Sequence, residues 1–354
     1  IYAVFYFLIY VLSLPGGIIA DRTQNFKGTI ITGLIVMALG YGMLSIPVFA
    51  ETAGMSWVLV FTCVALFIIA FGNGLFKGNL QAIVGQMYDN LEAEAAKEGE
   101  EALKAAKDKR DSGFQIFYVF INVGGVIAPF VAPLLREWWL KAHNMFYEAQ
   151  LPALCHQYQE DGIVTDNLAA LAEKASAQPV TDMAAFCGEY LQIFNEGIHY
   201  SFIASVAAML ISLTIFIATR KRFPNPAKKE QVASVEYTAE ERKAAAKEIK
   251  QRMYALFAVL AIAIFFWFAF HQNGTSLSMF ARDFVKSDSV APEVWQALNP
   301  FYVIILTPVV MWVFGALGRR GKYISTPRKI AIGMAIAGTA YVFLAVYSYI
   351  MGYP

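Results

Sequence analysis

The sequence predicts an all-α, polytopic membrane protein, and three observations carry that prediction. Of 354 residues, 58% are hydrophobic and only 16% are Asp, Glu, Lys or Arg, whereas a soluble domain carries about 25% charged residues. The charges are confined to a few segments, leaving eight apolar stretches at 1–20, 28–50, 56–82, 113–135, 197–219, 253–281, 297–318 and 330–351, each near the roughly 20 residues that cross a bilayer. The intervening segments alternate between rich and poor in Lys and Arg, as the loops of a spanning protein do. With 28 basic against 27 acidic residues and a net charge of +1, nothing in the charge balance argues for a nucleic-acid partner.

The basic residues orient the chain. Segments 21–27, 89–112, 220–252 and 319–329 hold 22 of them, and 51–55, 136–196 and 282–296 hold 5. The first set is therefore cytoplasmic, and Lys77 alone remains inside a span. Both ends then fall on the outer side. Stretch 1–20 lacks a basic n-region and a cleavage site and ends in Asp21-Arg22, so it reads as a span and not as a signal peptide. Without an initiator Met, and starting outside, the sequence reads as an internal fragment preceded by an odd number of spans.

The cytoplasmic stretch 89–112 is dense in Ala, Glu and Lys and predicts a charged helix outside the bilayer, most simply a solvated spacer. The outer loop 136–196 holds Cys155 and Cys187. If it faces a periplasm, the two are candidates for a disulfide, although spacing alone does not establish the geometry. Cys63, within a span, reads as a small buried apolar residue. Segment 220–252 reads as a cytoplasmic linker between two helical bundles, 1–219 and 253–354. The turn from Gly17 to Lys27 is weakly echoed by that from Gly315 to Lys322, which suggests two parallel halves.

No acidic residue lies near the middle of a span, so few titratable groups remain in the interior. A buried ammonium costs several kcal/mol unless it faces a cavity or a partner, which makes Lys77 the foremost candidate for a functional residue. It stands in GNGLFKGN (72–79), whose Gly74 and Gly78 predict a small-residue packing face. In FYVFINVGG (117–125), Tyr118 and Asn122 share a helix face, as do Trp267 and His271 in FWFAFHQ (266–272). Asn299-Pro300 sets a polar residue beside a helix breaker; such irregularities line substrate paths, although Asn also caps helices.

Taken together, GGIIADRTQNFKG (16–28), GNGLFKGN, RDSGFQIFYVFINVGG (110–125), FWFAFHQ and LNP (298–300) resemble the proton-dependent oligopeptide transporter family of the major facilitator superfamily. The resemblance implies that the chain covers family helices two to six in 1–219 and seven to nine in 253–354. It also implies a substrate site of Tyr10, Lys77, Asn122, Trp267 and Asn299. Lys77 would engage the peptide carboxylate and share in proton coupling, the two asparagines would bond peptide backbone, and Trp267 would wall a side-chain pocket. Gly17, Asp21, Arg22 and Lys27 would form the cytoplasmic gating motif.

The chain departs from the family at His271, where many members carry an acid, and at Asn25, where glycine is usual. Segments 89–109 and 136–196 are also longer than a minimal member needs. The family's paired glutamates with an arginine on its first helix, and a glutamate on its tenth, fall outside the sequence. The expectation is a symporter importing di- and tripeptides, monomeric in a bacterial inner membrane, with protons as coupling ion and neither cofactor nor metal. Its alternative is a transporter of the same fold for nitrate, an amino acid or a peptide-like drug. An intramembrane hydrolase is disfavoured, since no carboxylate stands at depth beside a nucleophile or metal ligands, and a non-catalytic scaffold leaves Lys77 without a reason.

Overall fold

The computed structural model describes residues 1–49, 54–224, 239–272, 275–284, 292–322, 324 and 326–352. Among these the chain is helical, without strands apart from one isolated bridge between Met145 and Ser176. Eight helical stretches are long and apolar enough to cross a membrane. The chain divides into two compact units, Ile1–Ser234 and Val235–Pro354.

In the first unit α1 (Tyr2–Val11) and α2 (Ser13–Thr23) form one span broken at Leu12. Pro15 explains the break, because it has no N–H to offer the Val11 carbonyl. The turn after α2 holds Gln24 in the left-handed region (φ 51°). Asn25 then caps α3 (Phe26–Leu44), its side chain accepting from the Gly28 N–H at 2.9 Å. The departure from glycine at this position thus has a local purpose.

The two longest helices are α4 (Met55–Glu98) and α5 (Glu100–Ala142). The charged stretch 89–112 is therefore no separate helix: it is the continuation of two spans, bent back on itself at Gly99, whose φ of 131° suits only glycine. Arg110 braces this hairpin by pairing with Asp89 at 3.0 Å and Glu92 at 3.3 Å. Strong helix formers on both sides leave a capless Gly99 as the place where a helix stops.

The outer segment, expected as a loop, is a small helical cap. It contains α6 (Leu151–Asp161) and α7 (Asp166–Ala175), closed by the end of α5 and the start of α8 (Met183–Thr219). Thr165 caps α7 through the Leu168 N–H, and Asp182 caps α8 through the N–H groups of Ala184 and Ala185. Leu140, Met145, Leu151, Leu168, Phe186 and Tyr190 make its core. The Tyr190 hydroxyl donates to the Phe146 carbonyl at 3.2 Å and accepts from the Glu148 N–H.

Within the spanning part, α3 packs between α4 and α8, while α1, α2 and α5 also lie on α4. Backbones meet closely: a Cβ at Gly16 would collide with the Gly74 carbonyl oxygen, and one at Gly33 would sit 2.8 Å from that of Gly72. The small-residue face expected at Gly74 and Gly78 is thus built from Gly72 and Gly74, because Gly78 points into open space. Asn79, 2% exposed, ties α4 to α2 by donating to the Gly16 carbonyl at 3.2 Å. Cys63 corrects another expectation. It is exposed, on a helix whose outer side carries Val60, Val64 and Phe67, a surface that lipid tails suit as well as protein.

The second unit comprises α9 (Ala239–His271), α10 (Ser276–Phe284), a 3₁₀ turn (Pro292–Ala297), α11 (Leu298–Arg319) and α12 (Thr326–Ile350). The span expected over 253–281 is shared between α9 and α10. Tyr341 joins α12 to α9, its hydroxyl donating to the Ala269 carbonyl at 2.7 Å.

Candidate functional site

In the first unit the site grows from the way α4 packs. Leu75, Asn79 and Ile83 are buried at four-residue spacing, which marks the face turned to α2 and α3. Lys77 lies two residues from both Leu75 and Asn79, hence roughly 160–200° around the helix. It emerges on the opposite face, exposed within this unit. There its ammonium stands over the Tyr10 ring, 4.8 Å from the centroid, and takes no ion-pair partner among the described residues. Cation–π attraction is strengthened away from water but leaves a net positive charge to attract an anion.

The register of α4 against α5 places Asn122 at the same depth. A Cβ at Gly85 would lie 3.2 Å from the Arg110 guanidinium and 3.8 Å from Phe114, and Gly113 faces the Tyr88 ring. The helices run antiparallel from the Gly99 bend. Eight residues back from Gly85 is Lys77, and eight on from Phe114 is Asn122, each about 12 Å along its helix. Asn122 is 9% exposed, and its amide donates to the Tyr118 carbonyl one turn earlier at 2.8 Å. That bond anchors the side chain and leaves its oxygen able to accept.

In the second unit Trp267 and His271 stack, with centroids 5.6 Å apart and planes at 26°. Phe270 meets the Trp267 ring edge-on at 5.3 Å, so the indole is held by both neighbours while 44% exposed. Asn299 lies in the first turn of α11, whose N-cap is Ala297. Asn299-Pro300 thus stands just past the junction where the 3₁₀ turn gives way to α11, and proline is tolerated there because helical N–H groups have no partner anyway. Asn299 is not the cap.

The residues expected to form a gating motif differ in their surroundings. Gly17 has open space where a Cβ would stand, whereas Gly16 makes the tight contact. Asp21 and Arg22 are exposed. Lys27 donates to the Phe223 carbonyl at 2.7 Å, tying the α2–α3 turn to the segment just beyond α8. Sequence reading missed Asn79, a polar residue within GNGLFKGN whose neighbour drew the attention. It also missed Arg136, 9% exposed with its guanidinium 4.3 Å from the Tyr147 centroid; the basic residue at the end of span 113–135 was the available signal.

Residues 27–239 and 227–351 match the family model PTR2, the POT family. The chain belongs to the POT family. Among curated relatives it is 26% identical over 360 residues to the peptide transporter YePEPT of Yersinia enterocolitica, covering 94% of this chain and 62% of that protein. It is also 26% identical to dipeptide and tripeptide permease B of Salmonella typhimurium, over 96% of this chain and 62% of the relative. The chain thus spans about three-fifths of the length of these relatives. In fold it resembles the crystal structure of a peptide transporter POT in complex with sulfate (TM-score 0.54, 21% identity, 97% of this chain and 64% of that one). It likewise resembles a POT family transporter in complex with 5-aminolevulinic acid (TM-score 0.54, 18% identity, 97% and 66%). These POT relatives are transporters and permeases, not enzymes. With eight membrane-length helices among the described residues and peptide permeases as relatives, the chain is a multi-pass membrane protein.

Proposed function

We propose that the protein is a proton-coupled symporter that imports di- and tripeptides by alternating access between two helical bundles, working as a monomer with protons as its coupling ion. The observation that carries the reading is Lys77: a cation midway along α4, over the Tyr10 ring at 4.8 Å, with no carboxylate partner among the described residues. A short peptide presents one carboxylate, one ammonium and several backbone donors and acceptors. Lys77 suits the carboxylate, while Asn122 and Asn299 suit backbone amides whatever the side chains. Trp267 offers a flat apolar wall, on which the His271 ring stacks. Pairing of the peptide with Lys77, together with proton binding, then shifts the inward–outward equilibrium, because a ligand shifts only an equilibrium whose states it binds unequally.

The test is uptake of labelled dialanine by the full-length protein in proteoliposomes, with and without an inward proton gradient, for wild type and Lys77→Ala. Charged hydrogen bonds contribute about 1.5–3 kcal/mol, so the variant should lose roughly tenfold or more of gradient-driven uptake. Full uptake by Lys77→Ala would remove the assigned role. No dipeptide uptake by folded wild type, with gradient-driven uptake of labelled nitrate, an amino acid or a peptide-like drug instead, would transfer the site to that solute.

A further inference from the structure

We propose that Cys155 and Cys187 form a disulfide that staples the outer cap to α8, the helix that runs on into the spanning bundle. The two residues lie on different helices of the cap, and both are wholly buried in its apolar core. Both belong to one buried cluster, on helices α6 and α8 that pack directly against each other. Burial pushes the Cys155 thiol well above its ordinary value, with Cys187 adding to the shift. A thiol held protonated in this way is a poor nucleophile and a poor metal ligand. No group of three or more His, Cys, Asp or Glu residues able to hold a metal occurs among the described residues. Two buried thiols of one cluster, with neither of those uses, are candidates for a structural bond.

Compartment supplies the second argument. The scarcity of Lys and Arg in 136–196 puts the cap on the outer side of the membrane, where thiols are oxidised and disulfides persist. Formation breaks two S–H bonds and makes one S–S bond. The two electrons and two protons pass to the disulfide of a periplasmic thiol–disulfide oxidant, which leaves as a dithiol. The finished cap hides both sulfurs, so the exchange takes place while the segment is still folding.

The bond would close a 32-residue separation that includes all of α7, restricting the unfolded cap. It would also hold α6 against α8. Further along, α8 is fixed to its neighbours: the His199 ring donates from Nδ1 to the Leu44 carbonyl of α3 at 2.6 Å, and Ser201 donates to the Ala132 carbonyl of α5 at 3.0 Å. A stapled cap therefore moves as one body with the outer end of this bundle.

The experiment uses the full-length protein from cell membranes, with free thiols blocked by N-ethylmaleimide under denaturing conditions without reductant, followed by peptide mass mapping before and after reduction. The expected result is a cross-linked peptide pair joining Cys155 to Cys187, about 2 Da lighter than the two thiol peptides, with Cys63 labelled throughout. Labelling of Cys155 and Cys187 before reduction would overturn the proposal, and so would a bond from either to Cys63. In parallel, reductant should lower by several degrees the temperature at which the cap becomes protease-sensitive in wild type but not in the Cys155→Ser, Cys187→Ser double variant. An unchanged wild-type temperature would rule out a staple. Neither readout depends on transport, so the peptide assignment stands or falls separately.

Discussion

In the cap, helices of 10 and 11 residues bury Leu151 and Leu168 with Tyr190 of α8 among large neighbours, whereas in the spanning bundle α2, α3 and α4 meet through Gly16, Gly33, Gly72 and Gly74. The solvent accounts for the difference. In water, burying large apolar side chains is the main favourable term, and short helices survive only by doing so. In lipid, the tails are as apolar as leucine, and close backbone approach with a few hydrogen bonds holds helices together. The exposed Leu39, Val60, Phe67 and Ile211 would be a liability on the cap and are ordinary on a span.

That contrast breaks hardest at Gly16. A methyl there meets the Gly74 carbonyl oxygen, and backbone cannot swing aside as a side chain can. Gly16→Val should abolish recovery of monodisperse, folded protein in detergent, read by size-exclusion chromatography. Gly17→Ala, with open space around its Cβ, should elute as wild type. Equal behaviour of the two variants would mean that glycine contacts do not hold α2 to α4.

The cap answers to a different substitution. Leu168 is 1% exposed in its core, and truncating a buried leucine costs about 2–5 kcal/mol. Leu168→Ala should raise hydrogen exchange across α6 and α7 while α3 and α4 keep wild-type protection. Uniform deprotection of cap and bundle would show that they unfold as one unit.

Much of this was legible in the sequence, because membrane length and Lys/Arg asymmetry are one-dimensional signals. Lys77 and Asn122 were legible as polar residues where polarity is costly. The cap was not. Its helices are shorter than a span and of ordinary composition, and what makes them a folded body is the meeting of Leu140, Leu168 and Tyr190 from separate helices. Nor was the fate of 89–112, since the same Ala-, Glu- and Lys-rich letters serve a free helix or the ends of two spans. Only the φ of Gly99 decides between them. Gly16 and Gly17 are adjacent and identical in letter, and which of them faces α4 is set by the helix phase after the Leu12 break.

The smallest effect compares the turns that echo each other in the two units. After α11 the chain ends its helix with Gly321 at φ 75°, and the Lys322 N–H reaches back to the Leu317 carbonyl at 3.0 Å, the glycine-based closure that leaves few carbonyls orphaned. After α2 the same left-handed geometry falls to Gln24 at φ 51°, a conformation that costs a residue with a Cβ about 1–2 kcal/mol. Its amide recovers part of this by donating to the Asp21 carbonyl at 2.5 Å. Gln24→Gly should therefore stabilise the first turn by no more than about 1 kcal/mol, offset by the entropy glycine loses on folding. Gly321→Ala should destabilise the second by a similar amount. Thermal melting of both variants in detergent checks the pair. A Gln24→Gly variant that melted below wild type would show that the amide bond outweighs the backbone strain, and that this turn is held by its side chain, whereas its counterpart is held by its backbone.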